Sequence, residues 1–384
     1  MVTETYPPEV NGVARTIGIM VDGLRARGHI VQLVRPRQRA DSAASRVDGP
    51  ELMRVAGIPI PRYSQLRMGV PAMRALLRAW QRARPDVVHV ATEGPLGWAA
   101  ISAARRLGIP AATDFHTNFH AYSAHYGFAW LSRPVAGYLR YIHNRADCTM
   151  VPTEELAETL AGQGFERLRV VGRGIYPQVF SPKRRSNELR RRWGASEDTL
   201  VVLCVSRFAP EKNFPLVIEA YDAMRRLNPR CRLVLVGDGP LRSRLERQGA
   251  GCVIAGRLVN GELSEHYASA DAFLFASTTE TFGNVTLEAM ASGLGIVAYR
   301  YAAARQYLEH ERSALLAPFD NRAAFIEQAE RLAREPLRAR ALGQAARRIA
   351  EGLSWEQTIG EFEAVLQETR ARTTASSEPA RATA

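Results

Sequence analysis

Asp271–Arg300 reads DAFLFASTTETFGNVTLEAMASGLGIVAYR. Asp271–Ala276 is short, apolar and unbroken, the pattern of a strand buried on both faces. A polar turn follows over Ser277–Thr281. Gly283-Asn284 opens a short helix predicted at Val285–Ser292, which Gly293 ends at the usual C′ position. A second apolar run, Gly295–Tyr299, completes a strand–helix–strand unit and predicts a parallel sheet. In open parallel sheets, ligands sit beyond the carboxyl ends of the strands, against helix N-termini. Glu280 and Glu288 mark that place, Glu288 standing about 6 Å along the helix axis from Asn284.

These carboxylates have two readings. Glutamates near a helix N-terminus favour the macrodipole and are common for that reason alone. Glu288, however, is flanked by Val285, Leu287, Ala289, Met290 and Ala291, residues suited to close packing. An ionisable group there needs a polar partner, and ligand hydroxyls would serve.

The same alternation extends outward through a chain of 384 residues, long enough for two domains. In residues 1–180, strands are expected at Ile30–Val34, Val87–Ala91, Ala111–Phe115, Cys148–Val151 and Leu168–Val171. Helices are expected between them, at Val13–Arg27, Pro71–Arg84, Trp98–Leu107, Arg133–Asn144 and Glu154–Gly162. Residues 181–196 break the pattern: Ser181–Trp193 is charged and reads as a linker with a short exposed helix. In residues 197–352, strands are expected at Leu200–Val205, Arg232–Val236, Val253–Ala255, Ala272–Ala276, Gly295–Tyr299 and Ala314–Ala317. The helices there are Pro215–Arg226, Pro240–Gln248, Gly261–Ala268, Val285–Ser292, Arg322–Arg334 and Leu337–Glu351. A last helix occupies about 353–371, and the small, polar tail 372–384 reads as disordered. Strands separated by helices of this length give an α/β fold with two parallel-sheet domains in series.

Composition narrows the class. The four cysteines, Cys148, Cys204, Cys231 and Cys252, form no paired motif, which argues for a reducing compartment and against a zinc site. No apolar run approaches the roughly 20 residues of a membrane span, and no signal peptide is visible. The expectation is a cytoplasmic protein, peripheral to a membrane if it meets one. Net charge is +12, and among 51 basic residues only Lys183 and Lys212 are lysine. The excess of arginine over acid lies mostly in the N-terminal part, which suggests an anionic surface on that side. Met73, Leu76, Leu77 and Trp80 among Arg74, Arg78, Arg82 and Arg84 suit an interfacial helix. Packing on the helix's own sheet explains that stripe equally well. The lack of an interleaved aromatic–basic motif weighs against nucleic acid as a partner.

Three further stretches carry chemistry. Val236-Gly-Asp-Gly-Pro240 begins like a dinucleotide fingerprint, but Arg242 replaces the third glycine and Pro240 reads as a helix start. Val205–Asn213, VSRFAPEKN, follows the first strand of the second domain. Arg207 and Lys212 there make either ordinary loop cations or, with helix amides, a diphosphate site. The scarcity of lysine favours the second. Ala112–Tyr122 places His116 at a strand end, where sites form, and His120 on a following loop; a lone histidine is otherwise structural.

Taken in order, P-P-E-V-N-G-V at 7–13, D-F-H-T at 114–117, S-R-F-A-P-E-K-N at 206–213, V-G-D-G-P at 236–240, A-G-R-L at 255–258 and the Glu280/Glu288 pair resemble one family. It is the retaining E-x7-E glycosyltransferases with two Rossmann-like domains, the GT-B type, and the likeness spans about residues 2–370. E-T-Y-P-P-E-V-N-G-V with F-H-T-N-F-H is most similar to its bacterial GDP-mannose-dependent α-mannosyltransferases, related to sulfoquinovosyl-lipid synthases. The resemblance implies two domains facing each other across a cleft, the last helix packing back on the first. It implies a sugar nucleotide as substrate, a lipid or glycan acceptor, and neither cofactor nor metal. Arg207 and Lys212 would neutralise the departing diphosphate, Glu288 would take the ribose hydroxyls, and Glu280 the donor-sugar hydroxyls. Backbone amides of Thr281, Phe282, Gly283 and Asn284 would assist. Gly12 would let its loop approach the phosphate, His116 would contact the sugar near the reacting carbon, and the backbone of Gly256, Arg257 and Leu258 would read the base. Two departures stand out: Tyr176 where an aspartate is common, and a Tyr301–Gln306 loop without its usual glycines.

A UDP-sugar-dependent sulfoquinovosyl- or glucosyltransferase is the nearest rival, and a sugar-nucleotide epimerase or a non-enzymatic polyanion binder the more distant ones. A phosphorylase would need a pyridoxal-bearing lysine, which two lysines nearly exclude. Met1-Val-Thr-Glu4 is short for a central first strand, and unpaired neighbouring groups would cost roughly 1–3 kcal/mol each. The expectation is therefore four to eight further residues, rich in Val, Ile and Leu, before Met1. Intact-mass measurement of the protein from its native source checks it; an N-terminus at Met1 or Val2 in an active enzyme would refute it.

Overall fold

The computed structural model describes residues 1–9, 11–38, 41, 51–60, 63–116, 132–248 and 251–377. In it the alternation becomes two α/β units. Of the described residues, one unit takes those up to Arg173 together with those from Glu356 onward; the other takes Gly174–Trp355.

The second unit is built on six parallel strands: β9 (Leu200–Val205), β10 (Cys231–Val236), β11 (Val253–Gly256), β12 (Ala272–Phe275), β13 (Gly295–Tyr299) and β14 (Leu315–Ala317). They lie in the order β11-β10-β9-β12-β13-β14. This is the doubly wound order, with its reversal between β9 and β12. The apolar runs are unbroken because both faces are covered. Val201, Leu203 and Val205 join one core while Leu200, Val202 and Cys204 join the other. Helix Asn284–Ala291 ends as its glycine suggested: Gly293, at φ 73°, lets its own N–H reach Met290 O and the N–H of Leu294 reach Ala289 O.

In the first unit, β1 (Leu33–Pro36) and β2 (Leu52–Val55) form one parallel pair. Strands β5 (Val88–Val90), β6 (Ala111–Asp114), β7 (Cys148–Val151) and β8 (Leu168–Val170) form a parallel group. Val2 bridges Val34 on one side and Val90 on the other, which joins the two into one sheet. Helix Trp355–Ser377 completes this unit from Glu356 onward. Ile359 lies over Gly23, Phe362 meets His89 edge-on at 4.9 Å, and Glu363 takes Arg27 at 2.6 Å and His29 at 2.7 Å. Burial holds the His89 imidazole down to about 3, so it stays neutral against Phe362.

Several expectations change. Ile30 is 92% exposed, and its strand begins only at Leu33. The antiparallel hairpin of β3 (Gly57–Ile60) and β4 (Tyr63–Gly69) was not anticipated, because prolines interrupt its run. Glu4 ties this hairpin to the sheet, its carboxylate accepting the N–H of Gly69 and, at 3.1 Å, that of Leu96. The stripe offered as an interfacial helix is spent inside: Leu76 and Trp80 are buried, with Met73 and Leu77 packed beside them. The outward face of helix Met73–Arg82 is basic, with Arg74, Arg78 and Arg82 exposed. Pro240 precedes its helix, which starts at Arg242. The helix Ala302–Tyr307 was not expected. The tail is helical as far as Ser377.

The charged stretch 181–196 is not a free linker; it is part of the second unit. Ser186 caps the short helix Asn187–Arg192, and Leu189 and Trp193 are buried. Arg190, 3% exposed, donates to Ser269 O, Ser196 O, Thr199 O and Asp271 Oδ2 at 2.8–2.9 Å. Asp271 Oδ2 also accepts the N–H of Val201, so one carboxylate joins this segment to the start of β9. Removing one partner of such a pair strands the other charge, and Arg190→Ala is expected to destabilise the second unit by about 3–5 kcal/mol. Arg192→Ala, whose partner Glu188 is exposed, leaves the urea midpoint unchanged. Equal midpoints for the two variants would contradict this account.

Candidate active site

The loops leaving β9 and β12 flank the reversal in strand order, and the sequence-singled residues of the second unit collect there. After β9, Pro210–Lys212 makes one 3-10 turn, and Asn213 at φ 52° swings the chain into helix Phe214–Leu227. Phe208 and Phe214, both buried and edge-on at 5.0 Å, anchor the loop from beneath. Arg207 and Lys212 are thereby held at the rim. Arg207 Nη2 donates to Glu211 Oε1 at 2.6 Å, while its side chain stays 37% exposed above the fully buried Glu211. Lys212 Nζ lies 2.5 Å from Glu280 Oε1 and 3.4 Å from both Ser277 Oγ and Thr279 O.

Glu211 also joins the two loops through its backbone: its carbonyl accepts from Thr278 N at 3.0 Å and Thr278 Oγ1 at 3.2 Å. Each cation is therefore balanced by a carboxylate of the protein. Beyond Glu280, Gly283 stands at φ 89° ahead of helix Asn284–Ala291 and, as a glycine, offers it no side-chain cap. The helix's first backbone N–H groups are the ones a phosphate or hydroxyl would meet. Glu288 lies one turn in and is 4% exposed. Phe282 is buried and edge-on to Tyr307, so only its backbone can face a ligand.

The V-G-D-G-P stretch finds its reason here. Ser206 N donates to Val236 O, Phe208 N to Asp238 O and Leu241 N to Phe208 O, all within 3.0 Å. A Cβ on Gly237, whose φ is 144°, would stand 1.8 Å from Ser206 O. The glycine lets one backbone cross another, which supports the Arg207 loop. Gly237 N in turn donates to Gly256 O at 2.8 Å, which brings in the third loop. Gly256 takes φ 77°, Arg257 is exposed and Leu258 half-buried.

Gly12 and His116 belong to the first unit. Gly12 is the exposed first residue of helix Gly12–Ala26, behind the Asn11 cap. Thr5 Oγ1 donates to Glu9 Oε2 and accepts from Asn11 Nδ2, which shapes the loop. His116 is buried at the end of β6, with Nε2 3.2 Å from Asp114 Oδ2 and Nδ1 3.2 Å from Arg173 Nη2. A guanidinium can only donate, so Nδ1 accepts and Nε2–H faces the carboxylate. Arg173 also meets Asp114 Oδ1 at 3.1 Å. Burial alone would raise the Asp114 carboxyl, but Arg173 and His116 hold it well below the usual range. A substrate contact through either ring nitrogen has to displace one of these partners. His120 lies outside the described residues. Arg173 and Glu211 were not singled out in the sequence, though Glu211 carried a signal, lying between the two cations of its motif; Tyr301 was noted only as the start of a loop without its usual glycines.

The reversal in strand order thus brings Arg207, Lys212 and Glu280 to the start of helix Asn284–Ala291, groups that a ligand with both phosphates and hydroxyls would meet. Residues 10–179 match Glycosyltransferase Family 4 and residues 185–349 match Glycosyl transferases group 1. A GDP-mannose-dependent alpha-mannosyltransferase of Mycobacterium tuberculosis is 34% identical over 381 residues, 95% of this chain and 96% of that protein. A sulfoquinovosyl transferase of Arabidopsis thaliana is 32% identical over 258 residues, 66% of this chain and 50% of that one. Among solved structures, a sucrose-phosphate synthase from Thermosynechococcus elongatus superposes with a TM-score of 0.76 at 18% identity, covering 97% of this chain and 99% of that one. The chain belongs to the glycosyltransferases, and its fold is of the GT-B type.

Gly237→Ala tests the crossing of loops. The added methyl has to push Ser206 and its loop outward, and a misplacement of about 1 Å costs on the order of 100-fold in turnover. An unaltered kcat/KM for transfer would show that the Arg207 loop does not depend on this crossing.

Proposed function

We propose that the protein transfers a mannosyl group from GDP-mannose, with retention of configuration, to a hydroxyl of a lipid or glycan acceptor. The observation that carries this reading is the Lys212–Glu280 contact at the strand-order reversal, with Arg207 on the same rim. In it, Arg207 and Lys212 take the charge that builds on the departing diphosphate, and Glu280 accepts hydroxyls of the sugar. Glu288 accepts the ribose hydroxyls, and the backbone of Gly256–Leu258 meets the base. The amides of Thr281–Asn284 add to the field at the phosphate. Stabilisation of this kind supplies what a metal ion would otherwise provide, so no metal or cofactor takes part. The choice of mannose and guanosine is supported by the Mycobacterium relative, which aligns over almost the whole chain.

A UDP-sugar donor is the second reading, because a base met only by backbone leaves purine and pyrimidine poorly separated; a sulfoquinovosyl group is the sugar that the name of the Arabidopsis relative suggests for it. No helix among the described residues is long and apolar enough to cross a membrane. An anionic membrane surface on the cytoplasmic side would meet Arg74, Arg78 and Arg82 by charge alone, since Leu76 and Trp80 are committed to the core.

A panel of GDP- and UDP-sugars decides between these readings, scored by transfer or donor hydrolysis. The expected result is the highest kcat/KM with GDP-mannose, an α-linked product, and a loss of about 100- to 1000-fold in Lys212→Ala or Arg207→Ala. Preference for a UDP-sugar would select the second reading. Near-normal rates in both variants with every accepted donor would overturn the placement of the phosphate site.

A further inference from the structure

Glu280 sits in the loop between β12 and helix Asn284–Ala291, where no strand ladder holds its backbone. Loop peptides of this kind need polar partners from elsewhere. One hydroxyl supplies both: Tyr301 Oη donates to Glu280 O at 2.7 Å and faces Glu280 N at 3.4 Å. Two residues further on, Ala303 N donates to Phe282 O at 2.9 Å, so Tyr301–Ala303 suspends the loop along its length. Tyr301 itself is well anchored. It follows β13 with extended backbone, its N–H bonds Tyr299 O, and its ring lies 4.7 Å from that of Phe319, just beyond β14. Glu280 is thus gripped at two ends, the carboxylate by Lys212 and the peptide by Tyr301.

We infer that Tyr301 is a positioning residue for the donor sugar: by fixing the Glu280 peptide it sets where the Glu280 carboxylate meets the sugar hydroxyls. The inference rests on Glu280 being the donor-sugar carboxylate, as proposed above. Tyr301 holds the peptide that carries Glu280, so its influence falls first on the hexose half of the donor. A carboxylate displaced by a fraction of an ångström still binds hydroxyls, but with poorer geometry and weaker discrimination between hexose epimers.

Tyr301→Phe separates this role from a structural one, because the ring and its packing on Phe319 remain while the hydroxyl is lost. Binding of the nucleoside diphosphate alone and of the intact sugar nucleotide is measured by calorimetry on the full chain, with kcat and KM for transfer alongside. The expected result is sugar-nucleotide affinity weakened about tenfold, the loss of one well-placed hydrogen bond, diphosphate affinity weakened clearly less, and a narrower kcat/KM ratio between epimeric donors. Equal weakening for both ligands would mean that Tyr301 only supports the fold, and no weakening would mean that Glu280 is held without it; either overturns the inference. If the unsubstituted protein binds the diphosphate but no sugar nucleotide more tightly, Glu280 is not a sugar ligand, and the functional reading falls together with this one.

Discussion

Lys212 and Glu280 stand 2.5 Å apart, with their side chains only 11% and 15% exposed, and they come from loops leaving different strands of one sheet. A charge pair so poorly hydrated is stable only while both partners keep their places, since either alone pays the desolvation cost of an ion without a counter-ion. That requirement constrains much of the second unit. The β9 loop is stapled to the β10 loop where Gly237 lets two backbones cross, and the β10 loop is stapled to the end of β11. Glu211 does two jobs, holding Arg207 with its carboxylate and the Thr278 peptide with its carbonyl. The sheet supplies the strand ends, and these cross-ties set the spacing between loops.

The first unit solves a related problem differently. Asp114, His116 and Arg173 form a closed triangle of buried groups, each bonded to the other two. A carboxylate that burial would push toward the neutral form is kept ionised by the guanidinium beside it. The histidine at the strand end is held by its surroundings in one orientation and one tautomer, which an isolated imidazole at a loop tip would not be.

The strand–helix–strand stretch from Asp271 was legible because its signals are local: a buried run, a turn, and a glycine that stops a helix. Arg207, Lys212 and Glu280 could be placed from spacing, as each follows a strand by a few residues, and Glu288 from its place one turn into the next helix. What escaped notice depends on contacts between distant segments. Arg190 reads as one more arginine in a charged run, yet two of its four bonds, to Ser269 and Asp271, cross some 80 residues of sequence. Tyr301 looked like a departure from a glycine-rich loop, and its hydroxyl has meaning only beside Glu280. The apolar stripe of Met73–Trp80 fits either a lipid surface or a core, and only packing distinguishes them. The hairpin of β3 and β4 was hidden because Pro59 suppresses the strand pattern while an edge position tolerates it.

Chain connectivity adds a last point. Among the described residues, the polypeptide leaves the first unit after Arg173 and returns to it at Glu356, so two passages of chain join the units there. A polypeptide ending near Arg173 would lack Phe362 and Glu363, leaving His89 without its aromatic cover and Arg27 without its carboxylate. It would also uncover Gly23, over which Ile359 lies. The halves are therefore unsuited to expression as separate fragments or to domain exchange at a single junction. A chimera that keeps both units whole has to take the helix together with the first 173 residues and insert the remainder between them, as one would graft a cassette into a frame.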